Sequence, residues 1–247
     1  MTGVGGAESG ILPASEPMIV TIDGPAGTGK STVARELAIR LGLEFLDTGA
    51  MYRAAAAIAL DRGIALDDEQ GVARAALEAD LHFDWSTDPP ALMAFWVPIV
   101  DRLRQPDVSR AVSPVASLPA VRDVMVRRQR VIGQQHPRLV TEGRDQGSVV
   151  FPQAEVKIYL DASRGVRARR RYEQLQESGI AASMDSVEHE LADRDHRDST
   201  RAVGPLICPE DAMLVDTTDM DFGEVVDTLE SIVRERVASR AGAGARA

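Results

Sequence analysis

The chain has 247 residues, 44% hydrophobic and 27% charged, a composition that suits one globular domain with a smaller insertion. Its one cysteine, Cys208, rules out an intramolecular disulfide and argues against a cysteine-based metal site. No apolar run approaches the ~20 residues of a bilayer span, and no secretory signal opens the chain, so a cytoplasmic protein without membrane contact is expected. The net charge of −10 argues against broad binding to nucleic acid.

In chain order, residues 1–16 and 239–247 are rich in Gly, Ala and Ser without apolar periodicity and read as disordered tails. Residues 18–22 are a short apolar, β-branched run, as a buried strand requires. Val33, Leu37 and Leu41 then recur at helical spacing, with Gly42 where a helix stop belongs. Further strands are expected at 44–46, 139–141, 156–160 and 213–215, and helices at 50–62, around 121–133, after 160 with a break at Gly179, at 183–201 and at 222–238. This alternation predicts an α/β fold, a parallel sheet flanked by helices. Residues 64–113 break the rhythm: a helix over 67–79 and alternating strands at 81–85 and 92–97 around Asp88-Pro89-Pro90 suggest an inserted helix-plus-hairpin module. The main domain is thus expected to span residues 17–238.

Between the first strand and helix lies Gly24-Pro25-Ala26-Gly27-Thr28-Gly29-Lys30-Ser31, followed by Thr32. It fits G-x-x-x-x-G-K-[ST], the phosphate-binding loop, in its required strand–turn–helix context. The glycines let backbone N–H groups converge, and the new helix adds its positive end. Lys30 would reach the β- and γ-phosphates of a nucleotide, and the Ser31 hydroxyl would ligate magnesium. A nucleoside triphosphate site follows.

The loop alone leaves GTPases, motor ATPases and small-molecule kinases open. No Asn-Lys-x-Asp motif reads guanine, and no long acidic Walker-B strand with a sensor region appears. Arginines are dense at Arg127-Arg128-x-Arg130, at Arg167-x-Arg169-Arg170-Arg171, and at Arg194, Arg197 and Arg201, as in a protein that grips small anions at a site. On a helix, Arg194, Asp198 and Arg201 share one face and could hold a phosphate and hydroxyls together, although an ordinary salt-bridged face has the same spacing. Arg53, Arg144 and Asp145 fall near the carboxyl edge of the sheet, where ligands of open α/β sheets bind.

Five segments together, I-D-G-P-A-G-T-G-K-S, L-D-T-G-A-M-Y-R, E-G-R-D-Q-G-S-V-V-F-P, V-K-I-Y-L-D-A and R-D-x-R-D-S-x-R, resemble the bacterial cytidylate kinases from about residue 18 to 236, weakly over 64–107. The resemblance implies a P-loop nucleoside monophosphate kinase fold with a parallel sheet, an inserted monophosphate-binding module at about 64–113 and a short helical lid at about 165–185. It implies transfer of the γ-phosphate of ATP to CMP or dCMP with magnesium, by a monomer. It assigns base contacts to Thr48, Arg122, Asp145 and Arg201, acceptor-phosphate contacts to Arg53 and Arg144 with Arg194, and ribose contacts to Ser113, Arg194 and Asp198. Lid arginines would close over the migrating group, from among Arg167, Arg170 and Arg171, with Arg170 taken as the catalytic one. Two positions depart from the pattern. Thr48 replaces a usual serine, keeping the hydroxyl donor while its methyl crowds the base. Ser31 replaces a glycine common in relatives and restores the magnesium hydroxyl. Kinases for UMP or shikimate, and a nucleotide-binding regulatory module without catalysis, are the alternatives.

Overall fold

The structure, a computed structural model, describes Leu12 and residues 16–244. Five parallel strands form the central sheet in the order β2-β6-β1-β7-β8, with β1 at Met18–Asp23, β2 at Glu44–Asp47, β6 at Arg138–Gly143, β7 at Val156–Asp161 and β8 at Met213–Asp216. Val20, Ile22, Leu139, Val140, Ile158 and Leu160 are at most 1% exposed. The three central strands are covered on both faces, so they read as continuous apolar runs rather than as alternation. Asp23, the last residue of β1, pairs with Gly143 of β6 and Tyr159 of β7, which lines up three strand ends along one edge.

Helices α1 (Lys30–Leu41) and α9 (Phe222–Gly244) cover one face, where Leu37, Leu41, Val226, Leu229 and Val233 pack on Val20, Ile22 and Val140. The other face carries α2 (Thr48–Asp61) and α6 (Pro119–Gln135). Ala54, Ala55, Ala56, Ala57 and Ala59 of α2 are all fully buried. A helix buried all round needs small side chains to let its neighbours approach, and α2 touches α3 (Glu69–Glu78), α5 (Pro106–Ser117) and β6 at once.

Residues 64–113 form α3 (Glu69–Glu78), a three-stranded sheet of β3 (His82–Asp84), β4 (Ala91–Ala94) and β5 (Val97–Pro98), the short α4 (Val100–Leu103) and most of α5 (Pro106–Ser117). The predicted helix and antiparallel hairpin are present, with Phe83 opposite Leu92. Helix α5 has no counterpart among the predicted elements. Pro106 sits in its first turn, where a missing N–H is tolerated, but Pro114 lies inside it and reads in sequence as a breaker. The segment has no separate core: Val72, Leu81, Phe83, Leu92 and Val112 join α2 and α6 in one apolar cluster.

Helices α7 (Arg164–Glu177) and α8 (Met184–Thr200) pair through Ala168, Leu175, Val187 and Leu191, and Ala26 of the phosphate loop joins that cluster. The break between them falls at Gly179 with φ +71°, and Ser183 caps α8 in a capping box with Ser186. The expected tails differ from the structure at two points. Leu12 is buried, its N–H donating to the Leu41 carbonyl at 3.1 Å, so this part of the N-terminal stretch packs on α1. Helix α9 runs on to Gly244, through part of the stretch expected as a tail. The remainder of both stretches lies outside the described residues. No helix among the described residues is long and apolar enough to cross a membrane.

Because α2 packs on every side, one enlarged side chain there should strain the whole half of the molecule. Ala55→Leu is expected to lower stability by about 1–3 kcal/mol. Urea unfolding should show the midpoint falling with an unchanged slope.

Candidate active site

The phosphate loop leaves β1 through Gly24 at φ +149°, where a Cβ would stand 2.0 Å from the Leu160 carbonyl oxygen. Only glycine fits so close to the neighbouring strand. Gly29, at φ +85°, turns the chain into α1. Lys30 Nζ donates to the Pro25 carbonyl at 2.5 Å and the Thr28 hydroxyl at 3.1 Å. Ser31 Oγ donates to Glu142 Oε1 at 2.9 Å, which brings the end of β6 to the first turn of α1.

A cluster of cations gathers beside this loop. Asp47 caps α2 by accepting from the Ala50 N–H at 2.8 Å and holds Arg53 Nη2 at 2.8 Å with its other oxygen. Asp198 on α8 accepts from Arg144 Nε at 2.8 Å, and Arg194 Nε lies 3.9 Å from the same oxygen. Burial and then the charge of Arg144 bring Arg194 down to about 10. Burial, with Arg144 and Arg194 nearby, holds Lys30 well below its ordinary value, against the opposing pull of Glu142 and Asp23. Burial alone would raise Asp198, but Arg144 and Arg194 bring it below the usual carboxylate value. Lys30, Arg53, Arg144 and Arg194 thus stand among the carboxylates Asp23, Asp47, Glu142 and Asp198. Burial would lower Arg144, but Asp198 and Glu142 hold it above its ordinary value, while Lys30 and Arg194 stay depressed. Depressed cations of this kind are relieved by a bound polyanion.

A second cluster lies where β6 ends. Asp145 is 2% exposed; Arg122 Nη2 donates to its Oδ2, and Arg201 Nη2 stands 3.8 Å from Oδ1. Arg122 is 1% exposed and lies over the Tyr52 ring, 5.5 Å from its centroid. The chain passes close above at Gly204, φ +59°, where a Cβ would stand 2.4 Å from Asp145 Oδ2 and 2.5 Å from Arg122 Nη2. Ser113 Oγ on α5, Arg122 Nε and Arg201 Nη2 are buried without a hydrogen-bond partner among the described residues. Buried polar atoms left this way are what a polar ligand satisfies.

The structure therefore gathers Lys30, Arg53, Arg144, Arg194 and Asp198 in one cluster and Arg122, Asp145 and Arg201 in another. Two predicted residues behave differently. The Thr48 hydroxyl donates to the Glu142 carbonyl at 2.7 Å, so its donor is engaged and it presents lone pairs instead. Arg170 does not face the cluster: it donates to Thr217 Oγ1 at 3.0 Å, the Thr217 carbonyl at 2.8 Å and the Met220 carbonyl at 3.3 Å, tying α7 to the loop before α9. Helix geometry explains the change, because adjacent residues point about 100° apart. Arg171, the next residue, donates to Gln174 Oε1 at 2.7 Å; burial and the charge of Arg53 depress its guanidinium against the opposing pull of Glu190. Arg167 is buried and bonds the Ala26 and Ala162 carbonyls and Asp195.

Sequence reasoning gave no part to Asp23, Asp47 or Glu142. Each stands at or next to a strand end inside one of the motifs; Asp23 and Asp47 accept there from backbone N–H groups, and Glu142 from the Ser31 hydroxyl. Burial pushes Asp23 up to about 7, against the two backbone N–H bonds it accepts from Gly147 and Gln146.

Comparison with known proteins fits this geometry. The cytidylate kinase family profile matches residues 20–235. A cytidylate kinase from Azotobacter vinelandii is 43% identical over 222 residues, covering 89% of this chain and 96% of that one. One from Methylococcus capsulatus is 42% identical over 217 residues, covering 87% and 96%. One from Mycobacterium avium is 44% identical over 222 residues, covering 90% and 97%. Among solved structures, a shikimate kinase from Bacteroides thetaiotaomicron aligns at 10% identity and a TM-score of 0.45 over 88% of this chain and 98% of that one, too distant to bear on function. With the match running through the phosphate loop, both arginine clusters and the sheet that joins them, the chain belongs to the cytidylate kinase family.

Proposed function

We propose that the protein transfers the γ-phosphate of ATP to CMP or dCMP, giving ADP and CDP or dCDP. The observation that carries this reading is the pair of clusters: a buried carboxylate between two guanidinium groups lies next to a group of cations, both beside the nucleotide loop. Asp145 would accept from the exocyclic amino group of cytosine, and the lone pairs of Thr48 suit the same donor. Uracil offers a carbonyl at that point, which would meet acceptors and be rejected. Arg122 and Arg201 would donate to the ring nitrogen and carbonyl. Ser113, Arg194 and Asp198 would face the sugar.

Positioning and charge neutralisation supply most of the catalysis in phosphoryl transfer, so no general base is invoked. Lys30 would neutralise the donor phosphates once it leaves the Pro25 carbonyl. Arg53 and Arg144, held by Asp47 and Asp198, would fix the acceptor phosphate in line. Arg171 on α7 would add a charge from the lid side. Hard oxygens of Ser31 and Glu142 adjoin one another at 2.9 Å, a donor set that fits magnesium held by few protein ligands and by substrate phosphates. When bound, magnesium would screen the charge between the β- and γ-phosphates. The protein is taken to work as a monomer on free nucleotides.

A coupled assay of ADP formation should show turnover with CMP and dCMP, far less with UMP and AMP, and none with shikimate. Equal turnover of UMP and CMP would refute the base assignment, and binding without diphosphate product would mark a regulatory module instead. In the same assay Asp145→Asn should cut kcat/KM for CMP by roughly a hundredfold or more, since it removes a charged partner from a hydrogen-bonded site.

The two lid arginines should separate by readout. Arg170→Met is expected to cost about 1.5 kcal/mol in urea unfolding, through its lost carbonyl bonds. Arg171→Met should leave stability within about 0.5 kcal/mol and lower kcat. The reverse pattern would return the catalytic role to Arg170.

A further inference from the structure

One buried carboxylate outside both clusters has contacts that reach each of them. Asp23 is 2% exposed at the end of β1. Its Oδ1 accepts from the Gln146 N–H at 2.9 Å and its Oδ2 from the Gly147 N–H at 2.7 Å, across more than a hundred residues of chain. Those are the first two N–H groups of a π-helical turn, Gln146–Val150, which begins directly after Asp145. Such turns are rare and concentrate at functional sites. The fit beneath is close, for a Cβ on Gly147 would stand 2.9 Å from Thr21 Oγ1. The Gln146 side chain is fixed as well, accepting from Thr141 Oγ1 at 3.0 Å and donating to Gln129 Oε1 at 3.1 Å. On its other side, Asp23 precedes Gly24, where the phosphate loop begins.

From this arrangement we infer that Asp23 is a positioning residue that sets the base-reading loop, Arg144 and Asp145, in register with the phosphate loop. The inference rests on the proposed transfer to CMP and names a determinant of its specificity. The backbone of residues 143–147 leaves β6 and must turn sharply, so it has no ladder partner beyond Gly143. A carboxylate that accepts two adjacent N–H groups fixes both the position and the direction of that turn. The donor loop needs no such clamp, because β1 is held by ladders on both sides. Loss of Asp23 therefore moves the acceptor's base more than it moves ATP. Asp23→Asn keeps the shape but turns an NH2 group toward a backbone N–H, and two donors cannot pair.

The test compares kcat and KM for CMP, UMP and ATP in the unmodified enzyme and in Asp23→Asn. The expected result is a rise in the KM for CMP and a fall of roughly tenfold to a hundredfold in the CMP-over-UMP ratio of kcat/KM, the effect of a displacement of about 1 Å at a reacting site. The KM for ATP should stay within about twofold. A merely structural role would reduce the active fraction, lowering kcat for both acceptors and leaving the ratio and both KM values in place; that outcome overturns the inference. Gln146→Ala loosens the same turn from its side-chain end and should shift the ratio in the same direction if Asp23→Asn does not fold. An unchanged ratio in Gln146→Ala then counts against the clamp. If the unmodified enzyme itself fails to prefer CMP, the proposed function falls, and this inference with it.

Discussion

Guanidinium groups removed from water have to be paired, and the site is organised around that requirement. Arg122 at 1% exposure and Arg144, whose side chain is 16% exposed, each meet a carboxylate that is itself nearly buried, Asp145 and Asp198. An unpaired charge at such a depth is strongly destabilising, whereas a well-bonded pair roughly offsets the loss of hydration. The pairing is incomplete by design of the cluster: Arg194 shares Asp198 with Arg144 at a longer distance, and Arg201 stands off from Asp145. Carboxylates preorganise the arginines without saturating them. The donors left over are available to a ligand, and they need no large rearrangement to meet it.

The same economy shapes the packing. The inserted segment shares its apolar cluster with α2 and α6, and α2 carries Thr48, Tyr52 and Arg53 on the side toward the site. Any shift of α3 or α5 is therefore felt by residues that would hold the acceptor. Ser113 on α5 and Arg122 on α6 belong to the same unit, so the residues proposed to hold the acceptor stand on the α2–α6 cluster, while α1 behind the phosphate loop packs in the other. The boundary between the two clusters is the sheet itself, with β6 presenting Leu139 to one and Val140 to the other.

Much of this was legible in the chain. The phosphate loop, the parallel α/β order and the hairpin follow from local periodicity and from glycines whose positions demand them. Clustered arginines flagged an anion site, and the Arg194–Asp198 spacing placed two of its members on one helix face. Three kinds of information were not local. Helix α5 was hidden by Pro114, because a proline inside a helix is tolerated only when tertiary packing compensates. Arg170 and Arg171 are neighbours of one type, and only the docking of α7 decides which one faces inward. The engagement of the Thr48 hydroxyl depends on a carbonyl 94 residues away, which no spacing rule reaches. Asp23 is of the same kind as Thr48: it adjoins the phosphate-loop glycines in sequence, but its carboxylate has partners only once β1 and β6 lie side by side.

That juxtaposition explains why a parallel sheet suits the chemistry. In-line transfer needs two anionic groups brought together at a fixed separation, and the largest obstacle is their mutual repulsion and freedom. Strands β1 and β6 end level, at Asp23 and Gly143, so the loops that serve donor and acceptor leave the sheet from adjacent, hydrogen-bonded positions. Cations follow at once on both sides, Lys30 after the first strand and Arg144 after the second. The α7–α8 pair has only a small apolar cluster of its own and touches the loop through Ala26 and the bonds of Arg167. Arg170 fastens the same pair to the turn after β8, and Asp198 ties α8 to the end of β6, so the sheet edge that levels the two loops also fixes the arginines that α8 carries.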